Sequence, residues 1–242
     1  MELLKVFRDE KSSGLKGGIY HHTQIKLAYN TNRIEGSKLS EEQTRYIYET
    51  NTIYFENGET TANVDDILET VNHFSCFDYM LGIANEPLSE EHIKRFHYLL
   101  KANTSDSKKS WFRVGEYKLK ANVVGGGETS SPFNVPVDMQ NLIEEYRNKT
   151  EITINDIIDF HFRFEQIHPF QDGNGRVGRL IIFKECLAHD IIPFIIEDDH
   201  KFFYYRGLSE YTKVKGFLTD TCLSAQDNYK KTLDYFLHQI KK

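Results

Sequence analysis

The sequence predicts an all-α fold with one small inserted β-hairpin. Apolar residues recur at the helical interval along most of the chain, and a single segment departs from it by alternating apolar and polar residues. The chain has 242 residues, of which five are prolines, and 39% are hydrophobic and 27% charged. These proportions are typical of globular proteins, so we expect one domain over residues 1–242.

Helix starts and ends are marked in the first half of the chain. A first helix is predicted over about 19–35, because Gly36 follows its last turn. Ser40 and Gln43 form a capping-box pattern that opens a second helix. A third helix is predicted over about 64–83, and a fourth begins after Ser89, which can cap it.

In the middle of the chain the spacing of apolar residues changes to every second position. Apolar residues at 117, 119, 121 and 123 alternate with polar ones, which predicts a half-buried strand, and three glycines at 125–127 supply a turn. A hairpin is therefore predicted within 115–131. Helical spacing then returns, with helices predicted from about residue 136 and over about 153–167, 176–189, 201–211 and 217–240.

The net charge and the cysteine content indicate which binding partners and which cellular compartment to expect. A net charge of −6 argues against non-specific binding of nucleic acid or anionic membranes, both of which attract an excess of lysine and arginine. The N-terminus lacks a signal-peptide apolar stretch, and no segment has the roughly 20 apolar residues that cross a bilayer. We expect a cytoplasmic protein that binds neither nucleic acid nor membranes, with buried thiols at Cys76, Cys186 and Cys222.

Residues 168–179, HPFQDGNGRVGR, concentrate the groups that phosphate chemistry needs. Gly173 and Gly175 let backbone N–H groups approach an anion just before a helix, whose N-terminus favours negative charge. A glycine pair before a helix is more often only a tight turn, and a histidine before proline is more often structural. The combination within one short segment is what indicates a phosphate site.

Four side chains of the same segment supply the remaining chemistry. Arg176 and Arg179, three residues apart on the predicted helix, are permanently charged donors suited to phosphate oxygens. Asp172 can hold a Mg²⁺ that bridges phosphates, and His168 can take a proton near neutral pH. The segment thus offers a base, a metal ligand, an anion hole and two phosphate clamps.

This segment resembles the catalytic loop of the Fic family, whose pattern is H-x-F-x-[DE]-G-N-G-R-x-x-R. The resemblance extends more loosely over about 19–211. It implies a Fic-type helical bundle with a flap hairpin, for which 115–131 is the candidate, and a catalytic loop at 168–179. All specified positions are filled, by His168, Phe170, Asp172, Gly173, Asn174, Gly175, Arg176 and Arg179.

The resemblance implies transfer of AMP from ATP to a protein hydroxyl, with release of pyrophosphate. His168 would deprotonate the attacking hydroxyl, Asp172 would bind Mg²⁺ or Mn²⁺, and Phe170 would anchor the loop in the core. Arg179 would pair with the γ-phosphate and Arg176 would support the loop and the phosphates. The intact run Gly173, Asn174 and Gly175 favours this ordinary nucleotidyl transfer, with Asn174 and Gly175 forming the anion hole.

Two further regions match features of the family. The flap would dock the target protein by strand addition, although a surface hairpin without a partner has the same sequence features. Family members often place a tyrosine downstream of the loop against adenine. Tyr205 is the choice by position and Tyr204 the alternative, although aromatic residues at helical spacing also pack in cores. The acidic run at 197–199 is expected to be a solvated loop rather than a metal site.

The N-terminal segment 17–36 resembles an inhibitory helix of the family. Its residues TNRIEG fit the pattern [ST]-x-x-x-E-[GN], with Thr31, Glu35 and Gly36 at the specified positions. Thr31 and Glu35 share a helix face, and a carboxylate at a helix C-terminus gains from an external cation. Glu35 would reach Arg179 and block productive binding of the γ-phosphate. The alternative is a solvated acid in the last turn of an ordinary helix.

We therefore expect an autoinhibited protein adenylyltransferase that uses ATP and Mg²⁺ and modifies a target protein or itself. Removal of AMP from a modified protein is the first alternative, since some family members with an inhibitory glutamate do this. A non-catalytic nucleotide-sensing module is the second, and the complete set of His168, Asp172 and Arg179 argues against it. The oligomeric state is open, and a homo-oligomer is among the options.

Overall fold

The computed structural model describes residues 2–55, 61–125 and 127–240, so Gly126 of the predicted turn lies outside the described residues. Within that part the chain forms ten α-helices and one two-stranded antiparallel sheet, which confirms the predicted fold class. The helices are α1 Glu2–Ser13, α2 Ile19–Ile34, α3 Glu41–Thr50, α4 Val64–Ile83, α5 Glu90–Lys101, α6 Val135–Arg147, α7 Ile154–Ile167, α8 Asn174–Ala188, α9 Lys201–Glu210 and α10 Gly216–Ile240. The strands are β1 Val123–Val124 and β2 Gly127–Glu128.

Three of the predicted helix starts, at Ser40, Ser89 and Thr153, are confirmed by their caps. The Ser40 hydroxyl accepts a hydrogen bond from the Gln43 N–H at 3.0 Å, and the Gln43 side chain accepts from the Ser40 N–H at 2.9 Å. Ser89 caps α5, and Thr153 caps α7 with a second capping box. These side chains satisfy backbone N–H groups that the first turn of a helix leaves without partners.

Helix α8 runs through the centre of the bundle. Every residue from Asn174 to Leu187 is buried, and the helix packs against α2, α4, α5 and α7. Since α8 begins where the glycine-rich loop ends, the surrounding helices fix the position and direction of that loop. A predicted start at residue 176 is therefore two residues late.

A helix also precedes the first predicted one. Helix α1 buries Leu3, Leu4 and Phe7, and the Arg8 guanidinium donates to the carbonyl oxygen of Leu81 at 2.6 Å, near the end of α4. No element is predicted here from the sequence, because charged residues outnumber apolar ones and obscure the short apolar stripe.

The hairpin is shorter than predicted. Among the described residues of this segment only β1 and β2 pair, with Val123 opposite Glu128 and Val124 opposite Gly127. All four of these positions are exposed, so the sheet contributes little to the core.

The predicted half-buried strand over 117–123 is wrong for its first part. The Lys118 N–H donates to the Pro169 carbonyl oxygen at 2.9 Å, and the Lys120 N–H donates to Gln171 Oε1 at 3.2 Å. Lys118 is buried while Leu119 is about half exposed, which breaks the expected alternation at these two positions. The backbone pairs with the glycine-rich loop rather than with the second arm of the hairpin, and this long-range pairing leaves no trace in the local pattern.

The three cysteines are buried free thiols, as expected. Burial raises the pKa of each of them, so the thiolate form is disfavoured. None of the described helices combines the length and the apolar character that crossing a bilayer requires.

Candidate active site

Two residues with positive φ enclose the glycine-rich loop. His168 ends α7 with a φ of 50°, and Gly173 precedes α8 with a φ of 83°. The left-handed conformation suits glycine but is uncommon for other residues, so a histidine there is held by its surroundings. These two residues mark the ends of the loop, with His168 at one end and the N-terminus of α8 at the other.

The loop is braced by its own side chains. The Asn174 amide accepts from the Phe170 N–H at 2.8 Å and donates to the Phe170 carbonyl oxygen at 2.9 Å. Phe170 is fully buried, as predicted for an anchor. Because the Asn174 side chain is engaged by Phe170, it is not directed at a ligand, and Asn174 can contribute to an anion hole through its backbone alone.

His97 of α5 is a loop support that the sequence analysis does not identify. Its ring stacks on Phe170, with the ring centres 4.0 Å apart and the planes 5° apart. Burial lowers the pKa of His97 to about 3, so the ring is neutral. Nδ1 accepts from the Gly115 N–H at 2.9 Å, so Nε2 carries the proton and donates to the Asp172 carbonyl oxygen at 3.1 Å. A histidine within a helical pattern gives no sequence signal for this role.

Asp172 belongs to a cluster of charges contributed by three helices. Its carboxylate accepts from Lys101 at 2.7 Å and from Arg176 at 3.1 Å. Glu69 of α4 binds the same two cations. Burial raises the pKa of Asp172, but Arg176 and Lys101 outweigh it and hold the pKa well below its usual range. Asp172 is therefore ionised, and Arg176 supports the loop from within the core, where it is 4% exposed.

The residues around Asp172 fit one ligand position for Mg²⁺. About half of the Asp172 side chain is exposed, at 48%, so its carboxylate remains accessible beside the two cations. Mg²⁺ is commonly held by one or two carboxylates with substrate phosphates and waters completing the shell, so a single ionised carboxylate is sufficient. Among the described residues, Glu197, Asp199 and His200 also converge, but both acids are exposed and no other feature indicates an ion there.

A cavity of about 830 Å³ opens between the loop, the hairpin and α9. Its wall brings the predicted base and the predicted phosphate clamp together with the predicted inhibitory glutamate, which is far from both of them in sequence. Asp172, Gly173, Asn174 and Arg176 are not part of the wall. The predicted residues on the wall are Glu35, His168, Gly175, Arg179, Tyr204 and Tyr205, and both strands of the hairpin contribute to its rim.

His168 is a neutral base at the cavity wall. Burial, together with the charge of Lys118, lowers the pKa of His168 to about 4. Its Nδ1 atom has no hydrogen-bond partner among the described residues and lies 3.7 Å from Glu165 Oε2. Burial raises the pKa of Glu165 to about 8, so this carboxyl is mostly protonated at neutral pH. The imidazole is therefore free to accept a proton.

Glu35 pairs with Arg179 at the cavity wall. Arg179 donates to Glu35 Oε1 at 2.6 Å and to the Thr31 carbonyl oxygen at 3.1 Å. Arg179 is 4% exposed, whereas 27% of the Glu35 side chain is exposed. Burial lowers the pKa of Arg179, but Glu35 outweighs it and raises the pKa. The guanidinium that was predicted to bind a phosphate is thus occupied by a carboxylate.

The same carboxylate lies directly over the backbone of Gly175. A β-carbon at position 175 would overlap Glu35 Oε1 and would come within 3.0 Å of the Arg179 guanidinium. Helix α2 ends at Ile34, Glu35 is its C-cap, and Gly36 follows with a φ of 101° that suits glycine. Glu35 therefore occupies the end of the cavity where α8 begins, which is the position that favours an anion.

The two candidate tyrosines have different surroundings. Tyr204 is 1% exposed, and its hydroxyl lies 2.6 Å from His161 Nε2 and accepts from Arg179 at 3.4 Å. Tyr205 is 43% exposed on the cavity wall, and its hydroxyl donates to the Ile34 carbonyl oxygen at 2.9 Å. Tyr204 orients Arg179 from the core, and the ring of Tyr205 is the one accessible to a ligand.

Residues 87–185, which include the whole glycine-rich loop, match the Fic/DOC family. The chain is 25% identical over 219 residues to the protein adenylyltransferase Fic of Aedes aegypti, covering 88% of this chain and 42% of that protein. It is 41% identical over 89 residues to a probable protein adenylyltransferase of Aquifex aeolicus, covering 36% of this chain and 28% of that protein. The chain thus spans less than half the length of these relatives.

Solved structures share the fold. A Fic domain-containing signalling protein from Bacteroides thetaiotaomicron superposes with a TM-score of 0.71 at 22% identity, covering 96% of this chain and 90% of that one. Fic-1 from Caenorhabditis elegans gives 0.74 at 19% identity, covering 98% of this chain and 72% of that one. At these identities the similarity shows a common fold.

Proposed function

The chain carries a domain of the Fic/DOC family, and on that premise we propose that it transfers AMP from ATP to a hydroxyl side chain of a protein. The observation that carries the proposal is the cavity wall, on which the neutral base His168 and the buried clamp Arg179 face one space of about 830 Å³. A base and a phosphate clamp are both needed when a hydroxyl attacks a phosphorus atom. The related adenylyltransferases named above support the same reaction type.

The residues divide the reaction among them. The target hydroxyl gives its proton to His168 as its oxygen attacks the α-phosphorus of ATP. The bond between the α-phosphorus and the oxygen that bridges it to the β-phosphate breaks, and pyrophosphate leaves. Arg179 and the N-terminus of α8 bind the negative charge of the phosphates. Asp172 would hold Mg²⁺, which supplies further charge neutralisation on the phosphates. Tyr205 presents its ring to the adenine.

Glu35 keeps this activity low in the proposed mechanism. Its carboxylate is bound to Arg179 and lies over Gly175, so it occupies the same groups that a γ-phosphate needs. Two anions cannot share one buried guanidinium at this distance without strong repulsion. ATP then binds productively only when Glu35 leaves Arg179.

The hairpin and the residues before it form the proposed docking surface for the target protein. Val123 and Val124 of β1 are exposed at the rim of the cavity. A short exposed strand can bind an extended segment through backbone hydrogen bonds, which would bring a hydroxyl of that segment toward His168.

Removal of AMP from a modified protein is the second candidate, because Glu35 lines the same cavity as His168. A carboxylate in this position can orient a water molecule and accept its proton as the water attacks the phosphorus of a bound phosphodiester. The protein oxygen then leaves as a hydroxyl after taking a proton from solvent, and AMP is released. Incubation of AMP-modified target without ATP tests this reaction, and release of free AMP by the wild type but not by Glu35→Gln would support it.

The experiment that tests AMP transfer uses labelled ATP, a cell lysate and three forms of the chain. These are the wild type, Glu35→Gly and the double variant Glu35→Gly/His168→Ala. We expect mass spectrometry to find AMP on Ser, Thr or Tyr hydroxyls of a lysate protein or of the chain itself, most strongly with Glu35→Gly. Nucleotide binding without any incorporation by Glu35→Gly would instead indicate a nucleotide-sensing module.

A further inference from the structure

Lys118 is a buried lysine at the base of the hairpin. It is 3% exposed, and its ammonium donates to Asn122 Oδ1 at 2.6 Å and to Thr129 Oγ1 at 2.7 Å. Asn122 precedes β1 and Thr129 follows β2, so one side chain binds both arms of the hairpin. The same ammonium reaches the carbonyl oxygen of Ile167 at 3.3 Å. Ile167 is the residue immediately before His168.

Further hydrogen bonds join the residues around Lys118 to the glycine-rich loop. The Lys118 N–H donates to the Pro169 carbonyl oxygen at 2.9 Å, and the Asn122 side-chain amide donates to the Phe170 carbonyl oxygen at 3.1 Å. Thr129 Oγ1 donates to the Asn122 carbonyl oxygen at 3.0 Å, which joins the two arms. The carbonyl oxygens on both sides of His168 are therefore bound by Lys118.

The ammonium of Lys118 has only neutral partners among the described residues. No carboxylate of the described residues lies within ion-pair distance of the Lys118 ammonium. Burial lowers the pKa of Lys118 to about 8. A buried charge without an opposite charge is unfavourable for folding, and an apolar side chain of similar length would avoid that cost. The fold alone does not account for a lysine at this position.

We propose that Lys118 is a positioning residue for the transfer step, which holds both arms of the hairpin against the residue that precedes the base. A target segment docked on the hairpin and the imidazole of His168 then keep a fixed separation. This inference rests on the proposed AMP transfer and adds a residue to it. A correct separation between reacting groups accounts for a large part of the rate in reactions of this kind.

Lys118 also acts on His168 through its charge. A nearby positive charge disfavours protonation of the imidazole, whereas Glu35, Asp172 and the Glu165 backbone act in the opposite direction. Lys118 therefore helps to keep the base neutral. A side chain with a purely structural role would leave the titration of His168 unchanged, so this effect separates the two interpretations.

The test uses the full chain, without nucleotide, as wild type and as Lys118→Met, Lys118→Arg and Thr129→Val. Hydrogen exchange is measured for the amides of 119–131, and the pKa of His168 is measured by NMR titration, with His168→Ala used to assign the signal. We expect Lys118→Met to exchange about tenfold faster in the hairpin and to raise the pKa of His168 by about 0.5. Lys118→Arg keeps the positive charge, so it should leave the pKa of His168 at the wild-type value.

Thr129→Val removes one acceptor and keeps the charge. It should speed exchange in the hairpin and leave the pKa of His168 as in the wild type, which keeps the inference testable if Lys118→Met folds poorly. Lys108→Met is the control, because Lys108 is an exposed lysine outside both the hairpin and the cavity wall. It should change neither measurement.

Transfer is then compared in the Glu35→Gly background. Adding Lys118→Met should lower AMP incorporation at least about tenfold while the dissociation constant for ATP stays within about twofold, because the change affects positioning rather than nucleotide binding. Unchanged exchange and an unchanged His168 titration in Lys118→Met would overturn the inference. If no chain transfers AMP, the proposed function fails, and the two nucleotide-free measurements still decide whether Lys118 joins the hairpin to the loop.

Discussion

The Glu35 carboxylate fills the space that a β-carbon at position 175 would occupy. Glycine at this position therefore serves two states of the protein. It lets the inhibitory carboxylate approach the N-terminus of α8, and it would let a phosphate approach the same N–H groups when that carboxylate leaves.

Gly175→Ala should weaken both of these interactions. The added methyl group crowds Arg179 at 3.0 Å and stands where a phosphate would approach the N–H groups of α8, so we expect ATP to bind at least about tenfold more weakly, even in the Glu35→Gly background. Isothermal titration calorimetry checks this. The matched control is Gly82→Ala in α4, where nothing lies within 4 Å of the new methyl group. Because alanine is the better helix former, Gly82→Ala should leave ATP binding unchanged and stabilise the fold by up to about 1 kcal/mol.

Glu35→Gly should increase AMP incorporation. Loss of the carboxylate frees Arg179 for the γ-phosphate. Each 1.4 kcal/mol of free energy by which Glu35 opposes ATP binding corresponds to about a tenfold gain in the affinity for productively bound ATP. Breaking a partly buried ion pair should also lower the free energy of unfolding by about 1–3 kcal/mol, measured by chemical denaturation. Higher activity combined with lower stability is the expected signature.

Two further variants control this result. Adding Arg179→Ala to Glu35→Gly should remove the gain, because the freed guanidinium is then absent. Glu151→Gly, a change at an exposed acid before α7, should leave activity at the wild-type level. If the wild type and Glu35→Gly incorporate the same amount of AMP on every substrate, then α2 is not inhibitory and Glu35 is an ordinary acid at a helix end.

His168→Ala should abolish transfer and leave ATP binding intact. General-base catalysis by a positioned side chain contributes about 10²–10⁴ in rate, and Nδ1 of the imidazole has no hydrogen-bond partner among the described residues. Incorporation of labelled AMP and calorimetry with ATP, both in the Glu35→Gly background, separate the two effects. Near-native turnover by His168→Ala would show that another group takes the proton.

The pH dependence should follow the depressed pKa of His168. The base is active when it is unprotonated, and its pKa falls from 6.5 to about 4 because of burial and the charge of Lys118. We expect kcat/KM of Glu35→Gly to stay flat as the pH falls from 7 to about 5 and to decline only below that. An acid limb near pH 6.5 would show that the imidazole is solvated in the working enzyme.

Chelation of divalent cations should stop transfer, and Mg²⁺ or Mn²⁺ should restore it. Asp172→Asn should raise the Mg²⁺ concentration needed for half-maximal activity by at least about tenfold, because a hard, ionised oxygen ligand is lost. The matched control is Asp106→Asn, since Asp106 also binds Lys101 but lies outside the loop. Asp106→Asn should keep the wild-type metal requirement, and metal-independent transfer would exclude a metal role for Asp172.

The parts of the molecule that the sequence predicts well depend on neighbouring residues. Ser40, Ser89 and Thr153 mark helix starts because a cap bonds within its own first turn. The chemistry of 168–179 is equally local, since a base, a carboxylate, glycines and arginines lie within one turn of the chain and the helix that follows. The pairing of Glu35 with Arg179 was the one long-range contact that the sequence indicated, through the resemblance of 31–36 to a family pattern.

The parts that the sequence does not predict are held by distant partners. His97 supports the loop from α5, and Lys118 binds it from the hairpin, each through a single side chain in an unremarkable local pattern. The first part of the predicted strand over 117–123 is wrong for the same reason, because its backbone N–H groups bond to residues about fifty positions away. The surroundings of Tyr204 and Tyr205 also depend on tertiary packing, which helical spacing alone does not distinguish.

The burial of Cys76, Cys186 and Cys222 makes the protein well suited to site-specific labelling. Maleimides react with accessible thiolates, and all three native thiols are disfavoured as thiolates by their apolar surroundings. A cysteine introduced at Val123, which is 65% exposed, would be the thiol that a fluorophore reaches first. Its emission could then follow the arrival of a target segment at the hairpin in real time, without removal of any native cysteine.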